Sequence, residues 1–407
     1  MIKKTNKILK TKFYSWKLNN LPEGCKQCVS GDKSVIFVTG ICPRQCSYCP
    51  LSEEKKDSDV IFINERKIFD EKDFESIITE IKSCNSKGAG FTGGDPLSRI
   101  DRTCEYIKLL KKHFGKKFHI HLYTSLDLIN DTNLKKLDDS GLDELRFHPE
   151  LINDKLWHKI NLLYSYSPKD ADKIKKSEKT GKRKYSFKLG IEIPVIPYFK
   201  KQTIKLIDFF ADKVDFINLN ELEISDAESF KIKNVSTKND KSYGAKGSQE
   251  LGIELLEHIN KNFKNSNAHF CTCKLKDKVQ LGNRLKKRAT NTKKIFDIIT
   301  DDGTLIRGAI YTKNSVPSFN YKKNLEKISD NKKVQIIKDL EIIREKLIES
   351  FNVPKKYLEI DNNKLRIITN VGIVEKLSDE IKMLNGIPAI VEQYPTWDQM
   401  EVDITFL

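Results

Sequence analysis

Residues 34–50 read SVIFVTGICPRQCSYCP and place three cysteines directly after an apolar run. The run at 34–39 is rich in β-branched residues and predicts a buried β-strand. The loop that follows carries Cys42, Cys46 and Cys49. A loop this short can present three thiolates to one face of a cuboidal iron–sulfur cluster, which leaves the fourth iron open to a small molecule. Three ligands of a zinc site are the simpler alternative.

Five further apolar runs follow, and longer amphipathic segments separate most of them. The runs lie at residues 88–92, 118–123, 144–147, 189–195 and 214–219. Apolar residues at helical spacing predict helices at residues 73–83, 102–113, 131–138 and 201–211. Alternating strands and helices are typical of βαβ units around a parallel sheet, so the sequence predicts an α/β fold with six strands. Polar stretches at residues 166–186 and 226–248 are predicted surface loops.

A second motif stands at the end of the second predicted strand and reads Phe91-Thr92-Gly93-Gly94-Asp95-Pro96-Leu97. Together, the cysteine spacing, Tyr48 before the last cysteine and this Gly-Gly motif resemble the radical S-adenosylmethionine (radical SAM) superfamily. The resemblance covers roughly residues 34–225 and includes pyruvate formate-lyase activating enzyme-like proteins, which have a similar Tyr-Cys-Pro ending. Asp95 stands where the family more often has Glu, but Gly93 and Gly94 still permit close backbone approach.

The resemblance implies a fold, two cofactors and an activity. The fold would be a partial (β/α)6 TIM-like barrel of the radical SAM type. Cys42, Cys46 and Cys49 would hold a 4Fe-4S cluster, and S-adenosylmethionine would bind its fourth iron. An electron from a flavodoxin- or ferredoxin-like donor would cleave S-adenosylmethionine to a 5′-deoxyadenosyl radical, which abstracts hydrogen from a substrate. The cofactors would carry this chemistry, while the protein positions the reactants.

Polar residues at the predicted strand ends are candidates for the site, because parallel strands bring their carboxyl ends together on one face. Polar side chains within apolar strands also need partners when they are buried. Each could instead simply pair with a neighbouring element or face solvent. The candidates for catalysis are Glu192, Arg146 and His148, and those for cofactor binding are Tyr48, Gly93, Gly94, Asp95, Ser125, Asn218 and Asn220.

A second set of cysteines lies outside the triad. Cys25 and Cys28 precede the first strand, and Cys271 and Cys273 follow the sixth. The first and last strands of a barrel can lie close together, so the four thiols could form a second metal site, either structural zinc or an auxiliary iron–sulfur cluster. Two unrelated pairs of thiols are the alternative.

The remainder of the chain predicts a separate α+β unit after about residue 291. An Asp-Gly turn at Asp302-Gly303 predicts a hairpin. Further patterns predict strands at 357–360, 364–369, 389–394 and 400–406, and helices at 334–351 and 373–384. The predicted organisation is an N-terminal extension with a cysteine pair at 1–33, the radical SAM barrel at 34–290 and a C-terminal accessory domain at 291–407.

Composition limits the setting of the protein. No apolar run in the 407 residues approaches the roughly 20 needed to span a bilayer, and charges occupy the region where the apolar core of a signal peptide would lie. The nine cysteines are odd in number and clustered, which favours metal binding in a reducing compartment over disulfides. We expect a soluble, cytoplasmic protein that does not associate with membranes.

Net charge bears on the substrate. The formal charge is +16, and residues 274–288 combine helical period with many Lys and Arg, which favours a polyanionic partner. The leading prediction is a macromolecular substrate, with RNA and transfer RNA modification favoured by charge. The alternatives are an activating enzyme that generates a radical on a protein, a sulfur-inserting enzyme with an auxiliary cluster, and a non-catalytic cysteine-metal protein that binds RNA.

Overall fold

The computed structural model describes residues 7–165, 181–239 and 242–407, which fold into two compact units, residues 1–284 and 285–407. In chain order the strands of the first unit are β1 (Leu9–Lys10), β2 (Trp16–Leu18), β3 (Lys33–Phe37), β4 (Ile61–Ile63), β5 (Arg66–Ile68), β6 (Gly88–Thr92), β7 (His119–Thr124), β8 (Glu144–Phe147), β9 (Tyr164–Ser165), β10 (Lys182–Arg183), β11 (Lys188–Val195), β12 (Phe216–Glu221), β13 (Thr237–Asn239), β14 (Ser242–Ala245) and β15 (Asn267–Cys271).

Amphipathic helices connect the strands. They are α1 (Glu23–Val29), α2 (Phe74–Ser83), α3 (Ile100–Phe114), α4 (Asp131–Ser140), α5 (Lys200–Phe210) and α6 (Ser248–Asn262). Helix α7 (Gly282–Thr292) begins at the end of this unit, and its residues from 285 onward belong to the second unit. Shorter 3-10 segments lie at Pro96–Arg99, Trp157–Leu163 and Pro197–Phe199, and a π-helical segment lies at Leu275–Leu281. The predicted helices are therefore confirmed to within two residues at each end.

One sheet of eleven strands organises this unit, in the order β1-β2-β15-β12-β11-β8-β7-β6-β3-β4-β5. Strands β15 to β3 in this order are parallel, and antiparallel strands flank them on both sides. The order ends at β1 and β5 without returning to its start, which is the topology of an open α/β barrel.

The number of parallel strands corrects the sequence prediction. All six predicted strands are confirmed as β3, β6, β7, β8, β11 and β12, but β15 adds a seventh, so the (β/α)6 description is wrong. In β15 the polar Asn267, His269 and Cys271 alternate with Ala268 and Phe270. Only one of these five side chains is large and apolar, which is too weak a pattern for a strand to be recognised.

Helix α1 lies against the concave face of the sheet. The Cys25 Sγ is 3.6 Å from Arg146 Nη2 on β8 and 3.3 Å from Asn218 Nδ2 on β12. A Cβ on Gly24 would lie 2.8 Å from His121 Nδ1 on β7, so glycine permits this approach. Because one short helix contacts three strands from the same side, the sheet curves around it.

Two predicted loops have different outcomes. Of the stretch at 166–186, residues 166–180 lie outside the described residues, and the rest contains β10. The stretch at 226–248 is not a plain loop, because β13 and β14 pair within it. Across the described parts of the chain, no helix has both the length and the hydropathy to cross a membrane.

The second unit combines an antiparallel sheet with helices, as predicted. Its strands are β16 (Ile298–Ile299), β17 (Leu305–Tyr311), β18 (Glu359–Asp361), β19 (Arg366–Thr369), β20 (Ile387–Gln393) and β21 (Glu401–Phe406), and its helices are α8 (Tyr321–Glu326), α9 (Asp330–Glu349), α10 (Val371–Lys376) and α11 (Ser378–Met383), with a 3-10 turn at Lys355–Tyr357. The sheet order is β18-β19-β17-β20-β21, with β16 beside β17.

The predicted hairpin at Asp302-Gly303 is confirmed by the antiparallel pairing of β16 with β17, and Gly303 adopts φ 87° in its turn. Helix α9 buries one face into the core of this unit through Ile336, Leu340 and Ile343. The prediction of a single helix at 373–384 is wrong. The segment forms two helices, α10 and α11, because the backbone of Leu377 between them is not helical, with ψ 24°.

Candidate active site

A cavity of about 430 Å³ lies at the carboxyl ends of the parallel strands. Ligand sites of α/β barrels form at this end, where the loops after the strands converge. The three triad cysteines line the cavity together with Gly93 and Gly94. The ends of β7, β8, β11 and β12 contribute the side chains that complete the wall, which are Tyr123, Ser125, His148, Glu192 and Asn220. The structure thus brings most of the predicted site residues into one place.

The cysteine loop is fixed to several strand ends. Arg44 Nε donates to Asp127 Oδ2 over 2.5 Å, and Arg44 Nη1 donates to the carbonyl oxygen of His148 over 2.7 Å. On the other side, Ser229 Oγ donates to the carbonyl oxygen of Cys49 over 2.8 Å. These contacts fix the position of the loop relative to the ends of β7 and β8.

The chemistry of the donor set fits an iron–sulfur cluster. All three triad thiols are partly exposed toward the cavity. Burial raises the pKa of Cys42 to about 11, although the backbone N–H of Arg44, 3.4 Å from Cys42 Sγ, opposes the shift. Binding of iron would displace these thiol protons, as in other thiolate metal sites. A cluster holds its thiolates at separate corners, so they need not converge on one point as ligands of a single ion do.

The Gly-Gly motif packs directly against the start of the cysteine loop. Gly94 N donates to the carbonyl oxygen of Thr39 over 2.8 Å, and Asp95 N donates to that of Ile41 over 2.9 Å. A Cβ on Gly93 would lie 2.3 Å from the Thr39 carbonyl oxygen, and Gly93 adopts φ 153°. Only glycine allows these two backbones to approach so closely.

The Asp95 carboxylate connects the motif to the next strand and does not line the cavity. Its Oδ2 accepts from Ser125 N over 3.0 Å and from Ser125 Oγ over 2.7 Å, and its Oδ1 accepts from Thr124 Oγ1 and Leu97 N. Burial raises its pKa, and the hydrogen bonds from Ser125 oppose that shift. In this geometry the Asp95 side chain does not face the cavity. Its carboxylate instead fixes the position of Ser125.

We expect Asp95→Asn to lower the free energy of unfolding by about 1–3 kcal/mol, because an amide nitrogen facing Ser125 N leaves buried donors unpaired. Calorimetric unfolding of the variant measures this. The control is Asp101→Asn, whose side chain is 85% exposed and bonds only a surface lysine. Equal stability of both variants would show that the Asp95 contacts contribute nothing.

Tyr48 and His148 form a pair beside the cysteine loop. Tyr48 Oη lies 2.9 Å from His148 Nε2, and His148 Nδ1 lies 3.0 Å from the carbonyl oxygen of Glu192. Burial, with a smaller effect of the Arg44 guanidinium, lowers the pKa of His148 to about 4, so the ring is neutral near pH 7. Both ring nitrogens already have partners. In this geometry His148 connects Tyr48 to β11, and its predicted catalytic role stays a prediction.

Glu192 is the acidic group at the base of the cavity. Its Oε1 accepts from Arg146 Nη1 over 2.7 Å and from Asn218 Nδ2 over 2.6 Å, and its Oε2 accepts from Asn220 Nδ2 over 2.6 Å. Arg146 and Asn218 are 2% exposed and do not line the cavity, whereas Asn220 does. Arg146 and Asn218 thus hold the Glu192 carboxylate in place, and their predicted direct roles in catalysis and cofactor binding stay predictions.

Sequence reasoning missed part of the cavity wall. Lys276, in the π-helical segment, and Glu223, after β12, line the cavity and form an ion pair with each other. The nearby Glu223 carboxylate raises the pKa of Lys276 against the opposing effect of burial. Lys56 and Asp57 also line the cavity. No motif or spacing in the sequence predicts them as site residues; the pairing of Lys276 with Glu223, for example, joins residues that are 53 positions apart.

The second cysteine set is only partly brought together. Cys25 lies beneath Glu192, in contact with Arg146 and Asn218, and Cys271 packs with Val29 in a small apolar cluster. Cys273 instead lies 3.3 Å from the Cβ position of Gly244. In the described residues, no group of three or more Cys, His, Asp or Glu side chains is gathered around one point as ligands of a metal ion. The second metal site stays a prediction.

Comparison with known proteins identifies both units. Residues 36–210 match the radical SAM superfamily, and residues 303–407 match a domain of unknown function (DUF8061). The chain is 36% identical, over 96% of its length and 94% of the relative, to a protein of Methanocaldococcus jannaschii named as a glycyl-radical enzyme activating enzyme.

Solved structures give weaker likenesses. HydG, a maturase of the [FeFe]-hydrogenase, has a TM-score of 0.36 at 10% identity over 90% of this chain and 83% of that one. The methyltransferase TsrM from Kitasatospora setae, with tryptophan and a SAM analogue bound, has a TM-score of 0.32 at 12% identity over 50% and 39%. Both TM-scores are below 0.5, so neither contributes to the assignment.

The similarity to the Methanocaldococcus jannaschii relative extends along nearly the whole chain and establishes the family. Members use a 4Fe-4S cluster and S-adenosylmethionine, and the three thiols and the Gly-Gly backbone on one cavity are a donor set that fits both. The protein is an enzyme of this type, and the alternative of a non-catalytic cysteine-metal protein is wrong. With its motifs, its open barrel and its relative in agreement, the chain belongs to the radical SAM superfamily.

Proposed function

We propose that this enzyme abstracts a hydrogen atom from a glycine residue of a partner protein and is thus a glycyl-radical enzyme activating enzyme. The observation that carries the proposal is the 36% identity over 96% of the chain to a relative named for that activity. An alignment of this extent includes the second unit as well as the barrel. The sequence alone left an activating enzyme that acts on a protein as an alternative. We now favour a protein substrate over an RNA substrate.

In this proposal Cys42, Cys46 and Cys49 hold the 4Fe-4S cluster, and the backbone at Gly93 and Gly94 receives the methionine part of S-adenosylmethionine. When bound, the cluster supplies the electron that cleaves S-adenosylmethionine to methionine and a 5′-deoxyadenosyl radical. A flavodoxin- or ferredoxin-like protein would deliver that electron. The chain itself contributes binding, orientation and exclusion of water.

The cavity wall supports specific roles for its side chains. Glu192 carries a negative charge that Arg146 compensates from below, so its Oε2 and the Asn220 amide face the cavity as an ordered acceptor and donor. Ser125 lines the cavity at the end of β7, and Asp95 fixes its position because the Ser125 backbone N–H and hydroxyl both donate to the Asp95 carboxylate. We propose that these three side chains orient S-adenosylmethionine and the reacting carbon, and that Tyr48 and His148 keep the cysteine loop in register with β8.

RNA is the second candidate substrate, and the net charge of +16 favours it. The basic segment at 274–288 supports it less than its composition indicates. Lys276 is paired with Glu223, and Arg284 is 9% exposed and paired with Glu65. Several of the charges that would meet a phosphate backbone are therefore already neutralised within the protein.

Isotope transfer tests the proposed substrate class. Reduced, reconstituted enzyme and S-adenosylmethionine are mixed with total cell protein labelled with glycine deuterated at Cα, or with unlabelled transfer RNA. We expect deuterium in 5′-deoxyadenosine, and a glycyl radical signal by electron paramagnetic resonance, in the protein arm alone. The same protein made without label is the control. If transfer RNA stimulates 5′-deoxyadenosine and labelled protein transfers no deuterium, the substrate is RNA and the proposal is wrong.

A further inference from the structure

A second cavity, of about 420 Å³, lies wholly within the second unit. Sites for small molecules commonly have volumes of roughly 300–1,000 Å³. Its wall carries several hydrogen-bond donors and one large aromatic ring. We propose that this cavity binds a small anion that has a planar ring at one end and a phosphate or carboxylate group at the other. The proposal is independent of the reaction at the barrel.

Arg307 is the main evidence for an anion. The side chain lines the cavity and is 4% exposed. Its Nη2 donates to Asp297 Oδ2 over 2.5 Å, while its Nε has no hydrogen-bond partner among the described residues. A buried guanidinium nitrogen without an acceptor is costly, and an anionic oxygen in the cavity would satisfy it.

Arg288 adds a second guanidinium from α7. It is 7% exposed, lines the same cavity, and donates through Nε to the carbonyl oxygen of Pro395. That hydrogen bond fixes the side chain along the cavity wall. Two guanidinium groups on one small cavity are the arrangement that favours phosphate or carboxylate over neutral ligands.

Two amides continue the row of donors. The Oε1 atoms of Gln393 and Gln399 both accept from Arg366 Nη2, the second over 3.2 Å. Both glutamines line the cavity, and Arg366 itself is fully buried. Because their oxygens are engaged by Arg366, their amide nitrogens are the atoms available to a ligand. Those nitrogens can only donate, which again suits an anion.

The acidic residues of the cavity wall do not oppose this. Glu359 is paired with Lys294 over 2.6 Å. Asp361 accepts from Arg366 Nε over 3.2 Å and from the backbone N–H of Asn363 over 3.1 Å. Their charges are thus compensated within the unit. Asp297 Oδ1 also has no hydrogen-bond partner among the described residues, but Asp297 does not line the cavity, so the Arg307 nitrogen is the unpaired atom on a residue of the wall.

Trp397 accounts for the planar ring of the ligand. It lines the cavity and is 45% exposed, unlike the apolar residues of the core. An exposed indole beside buried arginines offers a face on which a flat ring can stack. The pairing of an aromatic surface with guanidinium groups matches a ligand with one flat end and one anionic end.

Isothermal titration calorimetry on the full-length protein tests the proposal. The probes are UMP, GMP and nicotinate, with uridine and guanosine as neutral counterparts. We expect at least one anionic probe to bind, with its neutral counterpart, where it has one, at least roughly tenfold weaker, because hydrogen bonds to charged groups are the strong ones. UMP or GMP binding would identify a phosphate, and nicotinate binding a carboxylate.

Matched variants assign any binding to this cavity. We expect Arg288→Gln and Trp397→Ala each to weaken binding by roughly tenfold. Arg344→Gln is the control for the first, since Arg344 Nε also donates to a backbone carbonyl but does not line the cavity. Phe319→Ala, at a 91% exposed ring away from the wall, is the control for the second.

Two results would overturn the proposal. One is the absence of binding heat with all three anionic probes at millimolar concentration. The other is binding that Arg288→Gln and Trp397→Ala leave unchanged, which would place the ligand elsewhere on the protein. Circular dichroism of each variant confirms that it is folded before it is titrated.

Discussion

Cys46→Ala is expected to reduce the yield of 5′-deoxyadenosine to the level without enzyme. The substitution removes one of three thiols from the loop that lines the barrel cavity, and two thiolates do not hold a cuboidal cluster in place. We also expect the iron content of the reconstituted variant to fall well below that of the wild type. The measurement is mass spectrometry of the product after anaerobic reconstitution, reduction with dithionite and addition of S-adenosylmethionine.

Cys104→Ala is the matched control. Cys104 is a buried thiol on α3, 7% exposed, and does not line the cavity. Removal of one sulfur there should leave both iron content and product yield close to those of the wild type. Product from Cys46→Ala at wild-type yield would mean that the triad does not hold the catalytic cluster.

The fold was predictable wherever a local pattern was strong. Strands such as β11 and β12 are rich in Ile, Leu, Val and Phe, and α2 and α3 have clear helical spacing, so their positions follow from residues close in sequence. Strand β15 has no such pattern, because Asn267, His269 and Cys271 alternate with Ala268 and Phe270. Its place beside β12 depends on pairing between residues 216 and 267, which no local pattern contains.

The candidate site also has a part that local sequence patterns predict and a part that they do not. The triad and the Gly-Gly motif were predictable, because the residues of each motif lie within a few positions of one another in the sequence. The partners of Glu192 were not, since Arg146 lies 46 residues away and Asn218 lies 26 residues away on other strands. The composition of residues 274–288 predicts a basic surface that includes Lys276, and only the fold brings Lys276 to Glu223.

Arg146→Met is expected to lower the free energy of unfolding by about 3–5 kcal/mol, the typical cost of leaving buried charges without their partner. Arg146 is 2% exposed and donates to Glu144 and Glu192, so its loss leaves two buried carboxylates without a counter-ion. Calorimetric unfolding of the full-length protein measures the effect. We also expect less 5′-deoxyadenosine, because Glu192 would lose the group that fixes Oε1.

Two controls separate the charge from the loss of volume. The triple variant Arg146→Met, Glu144→Gln, Glu192→Gln removes the unpaired charges and should recover most of the lost stability, because a neutral set of similar size replaces the whole ion cluster. Arg99→Met breaks an exposed pair with Asp59 and should cost no more than about 1 kcal/mol. If the triple variant is as unstable as Arg146→Met alone, packing of the long side chain, and not its charge, stabilises the floor of the barrel.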